Sequence, residues 1–494
     1  MNVILILTDQ LSAKWLGCYG NPAASTPHLD AMAERGTLFE RCCSNLPVCM
    51  PARASIMTGR SAQHHGVFYN GWELALVLPT FPQVLQQAGV QTSGVGKFHL
   101  ECHGRSAYND VLKYGFDQAK VTEDIRAGDW LDWVEQVHPE HYERALASVW
   151  PMPHLADYGP SHRNLIEEVK AARQKYPPDT QTALTYVSVV PEEACQTRWI
   201  GDTAIEYIEK RDTSRPFFLK VSFVDPHDPY DPPERYLDRI DRDKIRPPVR
   251  SEDPALQEAI RRFEDVPFLR RFDALNKEDW LTRRHYYLAS LAFIDDQVGR
   301  ICDTLREQGI EDETLVIFTA DHGDTVGDHG FAAKGAWHFD ACYRIPLIVA
   351  GPGVQAKREG RVVTNLDYFP TILDYAAVEH DVPVEGKSLR PLLENTGDLD
   401  RPNAALVESY ASYAVYDAAL RAKTVIAPET HYTLFGDDTG MLFDLENDPD
   451  ECVNLFGTPD AADTQDEMDA LLRDLLIRQN DPMPLKQRHP TAQH

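Results

Sequence analysis

Short runs of β-branched and aromatic residues alternate along most of the chain with stretches whose apolar positions recur three or four residues apart. The pattern predicts strands near 2–8, 92–96, 216–224, 314–320 and 345–350. Helices are marked by their punctuation: Thr26-Pro27 opens one that Gly36 closes, and Thr80 starts another that ends at Gly89. Longer helices are predicted over 197–211 and 281–308. In the second, Leu288, Leu291, Val298, Ile301 and Leu305 share one face and should point into the core. Alternation of this kind builds an α/β fold, a large mostly parallel central sheet sandwiched by helices.

Two segments break the rhythm. Residues 120–195 and 228–280 are rich in Pro, Asp and Arg with weak periodicity, and read as long insertions covering one end of the sheet, where pockets are commonly built. After Gly386-Lys387-Ser388-Leu389 the runs become short and strand-like (404–410, 430–435, 440–444) and end in an acidic helix near 464–478. The organisation expected is an α/β domain over 1–389 and a smaller C-terminal α+β subdomain over 390–494.

Composition narrows the classes. Of 494 residues, 43% are hydrophobic and 26% charged, an ordinary globular balance. Lys and Arg number 49 against 77 Asp and Glu, and the resulting net charge of −28 disfavours nucleic acid and anionic membranes as partners. No apolar run approaches the roughly 18 residues that suggest a membrane span. The N-terminal MNVILILTDQ lacks a basic region and a small-residue cleavage site, so a cytoplasmic location is expected. Nine irregularly spaced Cys, with no C-x-x-C pair, do not form a disulfide framework.

Candidate chemistry appears where strands end. Asp9, His227 and Asp321 each follow a predicted apolar strand, and ligands of open α/β sheets bind outside the carboxyl ends of strands. Each residue alone reads equally well as a turn or capping residue. Asp9-Gln10 and Asp321-His322 offer carboxylates, an amide oxygen and an imidazole, a set suited to a hard divalent cation. Nearby Asp324, Asp328 and His329 have the same chemistry, and composition does not separate ligands from turn formers. In Cys49-Met50-Pro51-Ala52-Arg53, the proline places Cys49 at a helix N-terminus that favours an anion, with Arg53 one turn on. Spacing alone leaves Cys49 as either a reactive thiol or a small buried residue.

The segment C-x-P-x-R, followed by Thr58-Gly59-Arg60, resembles the signature of the sulfatase family, in which the Cys is oxidised to Cα-formylglycine. Seven further blocks are collinear with that family: ILTDQ, TPHLDAMAERGTLF, GVGKFHL, DPHDPY, FTADHGD, KGAWHFDACYRIPLIVAGPG and LFDLENDPDECVNL. The resemblance implies the alkaline phosphatase-like fold and hydrolysis of sulfuric esters. It implies metal ligands at Asp9, Gln10, Cys49, Asp321 and His322, with Ca²⁺ the usual ion. Gln10 and His322 stand where many sulfatases have Asp and Asn, which makes Mn²⁺ the alternative. It also implies catalytic roles for Cys49, Arg53, Lys97, His99, His227 and Lys334, with Lys97, His227 and Lys334 also binding substrate.

Asn70 matches a substrate-contacting position, although Asn-Gly is equally a turn signal. Ala52 stands where the commonest signature has Ser. The implied maturation partner is a formylglycine-generating enzyme, and relatives are often dimers or tetramers. Phosphonate monoester hydrolases and phosphodiesterases of the same superfamily typically carry Tyr-x-Thr where this chain has Lys97-Phe98-His99, so sulfate is favoured. A small aryl sulfate is the expected substrate and a sulfated carbohydrate the runner-up, with Trp72, Trp130, Trp133 and Trp150 as aromatic candidates for stacking. The arginines from Arg261-Arg262 to Arg283-Arg284, interleaved with acids, read as a solvated face.

Overall fold

Val3 to Leu7 expose 1% or less of their surface, as expected for a strand covered on both faces of a parallel sheet. The computed structural model describes residues 1–102, 106–159, 161–177, 184–264, 266–410 and 420–479. Its strands are β1 (Asn2–Thr8), β2 (Thr37–Phe39), β3 (Cys42–Cys43), β4 (Gln91–Gly96), β5 (Gln118–Val121), β6 (Phe217–Ser222), β7 (Thr314–Ala320) and β8 (Arg344–Ile345). There follow β9 (Leu347–Ala350), β10 (Lys357–Glu359), β11 (Val363–Thr364), β12 (Ala405–Ser409), β13 (Ala422–Ile426), β14 (Thr430–Phe435) and β15 (Gly440–Asp444).

The central sheet has eight strands in the order β10-β2-β9-β7-β1-β6-β4-β5. Only β9 runs antiparallel, against β7 and β2. Every predicted strand is present, but the run at 345–350 is split. Pro346, which has no N–H to donate, separates β8, in a small sheet of order β11-β3-β8, from β9 in the main one.

The predicted helices appear as Pro27–Arg35, Phe81–Gln87, Gln196–Glu209 and Lys277–Glu307. The last is capped by Asn276, whose side chain accepts the N–H groups of Glu278 and Asp279 while Asp279 returns a bond to the Asn276 N–H. Its five predicted core residues are all buried. Burial of parallel strands on both faces requires such helices, and these supply it.

The weakly periodic insertion over 120–195 is largely helical. It holds the edge strand β5 and helices Asp129–Val137, Tyr142–Ser148 and Leu165–Lys175. Each is two or three turns long and buries only a few apolar positions, such as Trp130, Leu131 and Val134, too few for a clear period. In the arginine stretch Arg261, Arg270 and Arg271 are exposed, as a solvated face requires, but Arg283 and Arg284 are buried, Arg283 stacked over Tyr230 and Arg284 paired with Asp328.

The C-terminal segment forms an antiparallel sheet of order β12-β13-β14-β15. Ala422, Phe435, Met441 and Phe443 pack on Phe263, Phe331 and Trp337, while Val425, Tyr432 and Leu442 pack on helix Ala462–Gln479. Residues 411–419 and 480–494 lie outside the described residues. Among the described residues no helix is long and apolar enough to cross a membrane.

Candidate active site

Five adjacent parallel strands deliver their carboxyl ends to one place. Beyond β7 come Asp321 and His322, beyond β1 Asp9 and Gln10, beyond β6 His227, beyond β4 Lys97 and His99, and beyond β5 Asp124. Residues hundreds of positions apart therefore converge through topology alone. Cys49 enters from the side as the first residue of helix Cys49–Thr58 and is fully buried.

Asp9, Cys49, Asp321 and His322 form a buried four-donor group with ligand atoms within 4.8 Å of one another. Cys49 Sγ lies 3.1 Å from His322 Nε2 and 3.8 Å from Asp9 Oδ1. His322 Nδ1 faces the Gly323 carbonyl at 3.0 Å, so Nδ1 carries the proton and Nε2 turns its lone pair to the group. Burial pushes the His322 imidazole down, against the pull of Asp321, toward the neutral form a metal ligand needs. The donor set fits a divalent cation. Gln10 stands beside the group with its amide fixed: Oε1 accepts from Lys334 Nζ at 2.7 Å and Nε2 donates to Asp324 at 2.6 Å.

Cations line the opposite side. Arg53 donates from Nε to Asp321 at 2.8 Å and from its terminal nitrogens to Asp9 at 3.0 Å, Ser222 Oγ at 3.0 Å and the Lys97 carbonyl at 2.7 Å. Lys97 Nζ is 2.6 Å from Asp9 and also pairs with Asp124. Lys334 Nζ bridges Gln10 to His227 Nε2, at 2.7 Å, and His227 Nδ1 faces the Asp228 carbonyl at 2.8 Å. Burial works to protonate Asp9, but Lys97, His227, Arg53 and His322 overcome it and hold its carboxyl well below the usual range. Burial works to deprotonate Lys97 and Lys334, yet both are pushed up, the first by Asp124 and Asp9, the second by Cys49 and then Asp9 and Asp228. Three buried cations thus gather against buried carboxylates in an otherwise acidic molecule.

Two site residues adopt left-handed backbone, Gln10 at φ 67° and His99 at φ 48°, a conformation that costs a non-glycine residue about 1–3 kcal/mol. Gln10 is held there by Asp321, which accepts its N–H at 3.1 Å, and by Tyr287, whose hydroxyl donates to its carbonyl at 2.7 Å. His99 is held by Glu123, which accepts the His99 and Phe98 N–H groups at 2.9 and 3.2 Å.

Asn70 sits on the turn that Asn-Gly predicts, and its Oδ1 accepts the Met50 N–H at 3.0 Å, capping the Cys49 helix. Asp324 and Asp328 are turn formers: Asp324 accepts the N–H groups of Val326 and Ala333, and Asp328 that of Val249. His329 stacks on Phe339, its Nε2 at the Asp450 carbonyl. Sequence reasoning missed Asp124 and Glu123. Their signal was the pair of acids after the β5 run, obscured because Gln118 to Lys120 of this edge strand are only partly covered.

Glu123 is buried, and burial lifts its carboxyl to about 7, with Lys97 opposing and Asp124 adding to the rise. The native state therefore keeps a proton that the unfolded chain, titrating near 4.5, has released. Stability should fall as pH rises from about 4.5 to about 7, by up to about 3 kcal/mol. Glu123→Gln is expected to flatten that stretch in urea unfolding at pH 5 and pH 8, leaving the variant the more stable at pH 8. An unchanged pH slope would remove Glu123 as its source.

Buried carboxylates and an imidazole facing a helix-terminal cysteine, beside two buried lysines, are groups suited to holding a cation and a tetrahedral anion. The comparisons supply the family. The Sulfatase family model matches residues 1–378, and a model of the N-sulphoglucosamine sulphohydrolase C-terminal region matches residues 327–478. The chain belongs to the sulfatase family. It is 28% identical to an arylsulfatase of Clostridium perfringens over 493 residues, covering 97% of this chain and 94% of that protein. It is also 28% identical to a choline-sulfatase of Rhizobium meliloti, covering 93% and 83%. Among solved structures, the phosphonate monoester hydrolase of Agrobacterium radiobacter shares the fold, with TM-score 0.79, 24% identity and coverage of 97% and 96%.

Proposed function

We propose that the protein hydrolyses small sulfate monoesters, an aryl sulfate by default, using formylglycine derived from Cys49 and a divalent cation held by Asp9, Asp321 and His322 with Gln10 beside them. The observation that carries this reading is the placement of Cys49 Sγ at a helix N-terminus against His322 and Asp9, among Arg53, Lys97 and Lys334. The cation, Ca²⁺ or Mn²⁺, supplies charge that neutralises ester oxygens and favours an oxygen nucleophile. As a hydrated aldehyde, residue 49 supplies two hydroxyls on one carbon, one to attack sulfur and one to release sulfate.

The chain's own groups do the rest. Arg53 fixes both carboxylates at once through their Oδ2 atoms, leaving Oδ1 of each on the side of His322. Lys97 and Lys334 neutralise the sulfate oxygens, and His99 accepts the proton released as sulfate leaves. The proton for the departing alcohol comes from the His227–Lys334 pair: His227 Nδ1 is anchored on the Asp228 carbonyl and its Nε2 accepts from Lys334 Nζ, so the proton to be delivered starts on the lysine. The net charge of −28 supports a small ester, because a long sulfated polymer meets repulsion before it reaches the pocket.

For the leaving group, Trp150 is the supporting feature: its ring lies edge-on to His227, centroids 6.5 Å apart, and is only partly buried. Trp130, by contrast, is buried with its indole N–H on the Ala194 carbonyl. A panel of aryl sulfates, sulfated sugars, phosphonates and phosphodiesters tests the reading. Aryl sulfates are expected to turn over fastest, and Trp150→Ala to raise their KM about threefold to tenfold with little change in kcat. Equal or faster phosphonate turnover would move the protein to the phosphonate hydrolase branch. Preference for a sulfated sugar would favour the carbohydrate reading, which the match of residues 327–478 to the N-sulphoglucosamine sulphohydrolase model supports.

A further inference from the structure

A second cluster of metal-binding side chains lies outside the site above. Helix Asp129–Val137 ends where the His138 N–H donates to the Val134 carbonyl at 2.9 Å, and Pro139 opens a single turn of 3₁₀ helix, Pro139–His141. The turn is closed by the His141 N–H on the His138 carbonyl at 2.8 Å. It brings the two imidazoles nearly parallel, 18° apart with centroids at 6.0 Å, and Trp133 packs edge-on against His138. The rings are thus oriented by rigid backbone and packing, and each remains about one-fifth to one-quarter exposed.

Glu140 projects between them: its Oε1 lies 3.6 Å from His138 Nδ1 and 3.7 Å from His141 Nε2. Glu193, from the turn Glu192–Ala194, brings its Oε1 to 3.5 Å from His141 Nε2. Tetrahedral ligands bonded at about 2.0–2.2 Å stand about 3.3–3.6 Å from each other, so these separations are close to those a bound ion imposes. They are longer than ordinary hydrogen bonds.

We propose that His138, Glu140 and His141 bind a divalent cation of the zinc class, with Glu193 beside His141. Two imidazoles with a carboxylate, leaving one position to water, suit Zn²⁺ and its first-row neighbours, whereas Ca²⁺ and Mg²⁺ take oxygen sets. The ion sits where the helical insertion meets the turn before helix Gln196–Glu209. These segments already touch, because Trp130 Nε1 donates to the Ala194 carbonyl at 3.0 Å. Two residues on, Gln196 Nε2 donates to the Glu123 carbonyl at 3.2 Å, so the same turn also reaches the loop that carries Glu123 and Asp124.

Co²⁺ is the probe, added to the protein with its catalytic metal in place. The expected result is one further Co²⁺ per chain with the visible band of a tetrahedral site, displaced by Zn²⁺. His138→Ala and His141→Ala should each abolish the band and the extra equivalent while their metal-free thermal melts overlay the parent's. Asp9→Asn, which disables the catalytic group, should keep both. The assignment is overturned if no further equivalent binds, if the band survives in either histidine variant, or if it vanishes in Asp9→Asn.

Discussion

Cys49→Ala is expected to fold like the parent and to lose sulfate-ester turnover by about 10⁴-fold or more, the scale on which removing a covalent nucleophile acts. Folding should survive because the change is small. Cys49 begins a helix capped by Asn70 on the Met50 N–H, so no backbone bond depends on its sulfur. Alanine suits a helix, and removal of one buried sulfur costs about 1 kcal/mol. Circular dichroism and a thermal melt check the first half of the expectation, and steady-state assay with an aryl sulfate the second. Peptide mass spectrometry across residue 49 of the active parent completes the test. It should show the aldehyde or its hydrate, and an unmodified thiol in fully active protein would sink the formylglycine mechanism, as would turnover retained in Cys49→Ala.

The central strands were legible because burial on both faces writes itself as unbroken apolar runs, as in Val3–Leu7 and Leu315–Phe318. The strands that escaped notice are short or at edges. β2 and β10 have three residues each, and β5 is half-covered, so neither length nor alternation singles them out. β13 escaped for another reason. Lys423, in the strand's interior, is paired with Glu408, a cross-strand partner invisible along the chain.

The site shows the same division. Asp9, Asp321 and His227 follow strand ends, and position marks them, whereas Lys97 came from the family resemblance. Their partnership with Cys49 and Lys334 came from family resemblance, since nothing in spacing says that a helix start and a distant loop face the same strand ends. Asp124 needed the sheet order: only once β5 pairs with β4 does a carboxylate three residues past its end reach Lys97. The charge of the whole chain, −28, likewise says nothing of where its cations gather: Arg53, Lys97 and Lys334 are brought together by topology rather than by composition.

Arg53→Met should be the most destabilising single change in the site, by about 3–5 kcal/mol in metal-free protein, because it leaves buried carboxylates without their partner. Arg53 is 1% exposed and spends four of its five donors on Asp9, Asp321, Ser222 and the Lys97 carbonyl. Asp9 keeps Lys97, but the Asp321 oxygen that faced Arg53 Nε loses a charge-assisted bond.

The loss has a pH signature. Asp9 is held well below its unfolded value of 3.8 against the burial that opposes ionisation, and Arg53 is one cause. A depressed carboxyl contributes stability above its unfolded pKa and loses it as pH falls through the folded one. The gap between parent and variant in urea unfolding should therefore stay constant from pH 7 down to about 4 and narrow only below that. Arg53→Lys should recover part of the gap, since an ammonium restores charge but cannot reach both carboxylates as the guanidinium fork does. Equal stability of Arg53→Met and parent would mean that Lys97 alone neutralises the pair, and the catalytic cation would then enter a site far less negative than Asp9 and Asp321 suggest.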